Sequence, residues 1–136
     1  MKTAFTVLNS LAVEYPKAVE IVKKYVSCSL LKKEPGSIRN IVSLAMQNVG
    51  PPTQKDVDAD AATASFYGNF HLGEEYQRAY DDLNVIATEI DIETTPNNLL
   101  QLLEKYENAH QNVLKKRIEL IKYVAEQRHK KPDNIR

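Results

Sequence analysis

From Thr95 to Lys131 the chain contains no glycine, and its one proline stands second in that stretch, at Pro96. Proline suits the first turn of a helix and breaks one further in. Thr95, just ahead of it, supplies a capping hydroxyl. The stretch reads as a single helix over about 96–130. It must end before Pro132, because the residue ahead of a proline is pushed out of the helical region. At about 1.5 Å per residue such a helix is roughly 50 Å long. A compact domain of 136 residues has a diameter of about 37 Å. The helix is therefore expected either to bend or fray, or to carry its distal half beyond one globule and meet something else.

The apolar pattern favours the second outcome. Leu99, Leu102, Leu103, Tyr106, Ala109 and Val113 form a stripe in the first half. Leu114, Ile118, Ile121 and Ala125 continue it, with Leu120 and Val124 beside them. The distal arc is wider than one packing partner needs, so outside a globule it would seek a partner helix. His110 and Arg117 interrupt one heptad register, which disfavours a long regular coiled coil.

Upstream, five further segments have helical periodicity, and none has strand alternation of useful length. The first covers about 3–14, with Phe5, Leu8, Leu11 and Ala12 on one face. Pro16 opens the second, whose stripe is Ala18, Val19, Val22, Tyr25 and Val26, extending toward Leu30. Ser37 is placed to cap the third, which carries Ile38, Ile41, Val42, Ala45 and Val49. Thr53 with Asp56 resembles a capping box for the fourth, an alanine-rich segment whose small face would let neighbours approach closely. Gly68 and Gly73 bracket an expected loop around Asn69–Leu72. The fifth helix is expected over roughly 74–91, with Tyr76, Ala79, Tyr80, Leu83, Ile86, Ala87 and Ile90 inward and Glu74 and Glu75 in its first turn. The fold class is all-α: a bundle of five or six helices forming one domain over 1–131, with a short basic tail at 132–136.

The formal charge is zero, yet the charges are segregated. Residues 1–50 are net +4, residues 51–98 net −8 and residues 101–136 net +4. An acidic middle between basic ends suits head-to-tail contact between copies or a charged partner. Cys28 is the only cysteine, so no internal disulfide forms, and a small buried apolar role is expected for it. The N-terminal apolar run is interrupted by Asn9, Ser10 and Glu14 and lacks a cleavage signature. No stretch approaches the ~18 apolar residues of a membrane span. A cytoplasmic, membrane-free protein is the expectation.

Candidate chemistry is sparse. Glu107 and His110 share one helical face, but a metal needs several converging ligands, and bundle metal sites use two such pairs with further glutamates. No metal or other cofactor is expected. Asp56, Asp58 and Asp60 resemble the start of a calcium loop, yet Ala61 and Tyr67 stand where glycine and glutamate are required. No nucleophile signature or phosphate loop occurs. A helix-turn-helix across the third and fourth helices would aim those same aspartates at phosphates.

These readings converge on a non-enzymatic interaction or assembly protein: an adaptor, scaffold or regulatory accessory factor. Its expected partner-binding residues are Leu114, Ile118, Ile121, Ala125, Lys115, Arg117 and Lys122, and its partner is another protein or a copy of itself. The alternative is a nucleic-acid-binding regulator using Lys115, Lys116, Arg117, Arg128, Lys130 and Lys131, with Tyr123 to stack a base. A metal-binding bundle built on Glu107 and His110 is the second alternative.

Overall fold

The computed structural model of the chain describes residues 3–26 and 38–130 and is all-α, with no strand among those residues. In chain order the helices are α1 (Ala4–Leu11), α2 (Pro16–Tyr25), α3 (Ile38–Val49), α4 (Gln54–Phe66), α5 (Phe70–Ile92) and α6 (Pro96–Lys130). Cys28, Leu30, Ser37, Lys131 and the 132–136 tail lie outside the described residues.

Local chemistry sets most of the boundaries. The Thr3 hydroxyl accepts from the Thr6 N–H and starts α1. That helix stops at Leu11, three residues short of the expected end at 14. Pro16 is the reason: it forces Tyr15 out of the helical region, and the chain uses Ala12–Glu14 to turn into α2. The Thr53 hydroxyl accepts from the Asp56 N–H at 3.1 Å and starts α4. α6 is unbroken over 35 residues, with Arg128, His129 and Lys130 in its last turn, where the helix dipole favours cations.

The expected loop at Asn69–Leu72 is a correction: these residues open α5, four positions earlier than the expected start. A single tight connection makes a longer loop unnecessary. Gly68, at φ +90°, donates to the Ser65 carbonyl while Asn69 donates to the Ala64 carbonyl, both at 2.9 Å. This is a Schellman closure of α4. The Asn69 side chain then accepts from the Leu72 N–H at 3.0 Å and caps the next helix. Glu74 and Glu75 consequently lie beyond the first turn of α5, where the dipole gives them little, and they pair with bases instead.

The chain divides into two compact units. The first comprises Met1–Pro51 and Asn84–Asn108. In it α2 packs against both α1 and α3. Val22, Val42, Leu99, Leu100 and Leu103 are fully buried, with Leu8 and Ile90. Two long-range polar contacts tie the elements together. The Glu104 carboxylate accepts from the Ala18 N–H in the first turn of α2, and the Arg39 guanidinium donates to the main-chain carbonyls of Asp91 and Glu93 at the end of α5.

The second unit comprises Pro52–Leu83 and Ala109–Arg136. Its core holds Val57, Ala64, Tyr76, Leu83, Val113 and Leu120, all buried. α4 and α5 approach through small residues. A Cβ added to Gly73 would sit 2.8 Å from the Ala61 carbonyl oxygen, so only glycine allows this crossing.

Candidate functional site

The distal half of α6 carries two apolar stripes, and packing separates them. Val113, Leu120 and Val124 are buried. Leu114 is half-buried, Ala125 is exposed, and Ile118 and Ile121 keep 53% and 47% of their surface in water. Large aliphatic side chains left that open on one helical face form a patch that water solvates poorly. Gln111, Leu114, Lys115, Ile118, Glu119 and Lys122 line an open depression there of about 420 Å³.

The bases of this helix divide in the same way. Lys116 is held inward by Glu75 at 3.1 Å and by Glu119 at 3.6 Å. The Glu75 contact holds the Lys116 ammonium above the usual lysine value, and its hydrogen bond and charge hold the Glu75 carboxyl below the usual carboxylate value. Arg117 pairs with Asp60 at 3.6 Å. Arg128 lies over the Tyr67 ring, its guanidinium 5.8 Å from the centroid, and donates to the Tyr67 hydroxyl. Lys115 and Lys122, by contrast, are exposed and make no ion pair among the described residues.

Among the expected partner-binding residues, then, Leu114, Lys115, Ile118, Ile121, Lys122 and Ala125 share the open face, while Arg117 is tied to α4. Of the expected nucleic-acid contacts, Lys116, Arg117 and Arg128 are each engaged within the unit. Tyr123 is half-buried and donates its hydroxyl to the Tyr67 carbonyl at 2.7 Å. Lys130 is exposed.

Glu107 is half-buried and His110 buried. His110 falls on the same inward stripe as Tyr106 and Val113, at i, i+4 and i+7, and periodicity alone does not say that an imidazole will follow that stripe. No three His, Cys, Asp or Glu side chains converge on one point among the described residues. None of the described helices is long and apolar enough to cross a membrane.

Sequence reasoning passed over a second exposed apolar pair, Val85 and Ile92, in the part of α5 that belongs to the first unit. Both lie off the inward Leu83–Ile90 stripe, and that displacement was the available signal.

Comparison with known protein families, curated proteins and solved structures finds no match to this chain.

Proposed function

We propose that the chain is a non-enzymatic helical interaction protein, an adaptor, scaffold or regulatory accessory factor of the cytoplasm, acting through the distal face of α6. The observation that carries this reading is the half-exposure of Ile118 and Ile121 on the face that also holds the unengaged Lys115 and Lys122. An apolar centre with charged flanks is the composition of a helix that takes a partner. The nucleic-acid alternative draws less support. Lys116 and Arg117 already neutralise acids of their own unit, and phosphate would have to displace those carboxylates.

The test compares wild type with Ile118→Asp and Ile121→Asp. Circular dichroism checks that each variant keeps its helicity, light scattering after size exclusion gives the mass, and affinity capture gives bound proteins. The expected result is a loss of mass or of captured partner in both variants. Equal mass and equal capture in all three chains would sink the reading.

A further inference from the structure

We infer that the partner of the α6 face is a second copy of this chain, which presents the exposed face of α5 around Val85 and Ile92. This rests on the α6 reading above and adds to it the identity of the partner and the symmetry of the contact.

Two copies of the α6 face do not suit each other. Lys115 and Lys122 directly follow Leu114 and Ile121, so both lysines run along one border of the apolar stripe. An antiparallel two-fold pairing of this face repeats the same residues on both sides, and it would set ammonium groups against one another along the seam. Like charges at such flanking positions select against a pairing.

The α5 face offers the complement. Val85 keeps 58% and Ile92 76% of its surface in water. They stand seven residues apart, as Leu114 and Ile121 do, which is about 10.5 Å along either helix. Glu89 is exposed, four residues after Val85, and Asp82 is exposed, three residues before it on the same helix. These two acids are also seven residues apart, as Lys115 and Lys122 are. From Ala79 to Ile92 the helix contains no lysine or arginine. Apolar and charged positions on the two helices therefore repeat with one period and opposite sign, which is what complementary docking of two helices requires.

The contact is heterologous. Each copy that uses its α6 face keeps an α5 face free, and the reverse, so copies add in a chain or close into a ring.

Sedimentation velocity on the full chain, over a concentration series at low and high salt, tests this with Ile118→Asp and Ile92→Asp. Wild type is expected to grow past the dimer as concentration rises and to shorten in salt. Each variant alone is expected to be monomeric. An equimolar mixture of the two is expected to form a dimer and stop there, because one supplies an intact α5 face and the other an intact α6 face. Should an aspartate unfold the chain, Lys115→Glu with Lys122→Glu replaces Ile118→Asp, and Asp82→Lys with Glu89→Lys replaces Ile92→Asp; each swapped variant alone is again expected to be monomeric, and the mixture is expected to grow past the dimer, because the two reversed faces complement each other as well. A monomeric wild type at every concentration overturns the inference. So does an assembly that Ile118→Asp abolishes and Ile92→Asp leaves intact, although the α6 reading then stands. An assembly that Ile118→Asp leaves intact overturns both.

Discussion

The Glu104 carboxylate accepts a hydrogen bond from the Ala18 N–H at 3.0 Å, across 86 positions of sequence. α2 has no side-chain cap of its own, since Tyr15 makes no such bond and Pro16 has no N–H to offer. A remote acid does the work of a local serine or aspartate, and its charge suits the positive end of the helix dipole. Glu104→Ala is expected to lower stability by about 1 kcal/mol, the usual loss for a capping side chain. Glu104→Gln keeps an acceptor and loses the charge, so about half that loss is expected. Urea unfolding of the three chains checks the order, and an alanine variant as stable as wild type would refute the capping role.

Gly73→Ala sets two effects against each other. Alanine in a helix interior gains up to about 1 kcal/mol over glycine. Here its methyl group would meet the Ala61 main-chain oxygen at 2.8 Å and the Ala61 Cα at 3.0 Å. Main chain yields less readily than a side-chain tip, and overpacking of this kind costs about 1–3 kcal/mol. The clash is expected to win, giving a net loss measurable as a lower urea midpoint. A raised midpoint would mean that α4 and α5 can separate freely at this crossing.

Tyr76 is fully buried, and its hydroxyl has no hydrogen-bond partner among the described residues. Burial, with the nearby Asp60 charge second, pushes its ionisation above the usual tyrosine value. Tyr76→Phe removes an unsatisfied polar atom and keeps the ring. It is expected to raise stability by up to about 1 kcal/mol. Thermal unfolding checks the sign, and a clear loss would reveal a partner for the hydroxyl.

The Glu75–Lys116 pair gives a pH signature. Glu75 has a lowered folded-state pKa, so its contribution is complete above the ordinary value of 4.5 and fades as pH falls through the lowered one. Lys116 has a raised pKa, so its contribution is complete below the ordinary value of 10.5 and fades as pH rises through the raised one. The melting-temperature gap between wild type and Glu75→Gln is therefore expected to be flat through neutral pH and to close in acid. Because both groups are solvent-accessible, the gap should also shrink in high salt. A gap that does not narrow as the solution is acidified would contradict the pairing.

Much of the helical layout was legible because proline and threonine punctuate it locally: Pro16, Thr53 and Pro96 each sit where a helix begins. The start of α5 was not. Gly73 reads as a breaker in a bare sequence, and its purpose lies in how closely Ala61 approaches it. Half of that signal was present in the small face of α4. For the α6 surface, the excess of apolar residues was legible, but the choice between Val113–Leu120–Val124 and Leu114–Ile118–Ile121 as the buried stripe was not. Both have helical spacing, and only packing decides between them. The engagement of Lys116 and Arg117 likewise depends on Glu75 and Asp60, which lie 41 and 57 positions away.

The two units are interleaved in the order of synthesis. Residues Met1–Pro51 of the first unit leave the ribosome before the inserted Pro52–Leu83, and the remainder of that unit, Asn84–Asn108, follows. At about 5–20 residues per second, α1–α3 wait several seconds for Leu99, Leu100 and Leu103 to arrive. Neither half of the gene, expressed alone, encodes a complete hydrophobic core. During that interval Val22, Val42 and their neighbours lack the α6 leucines that complete their core.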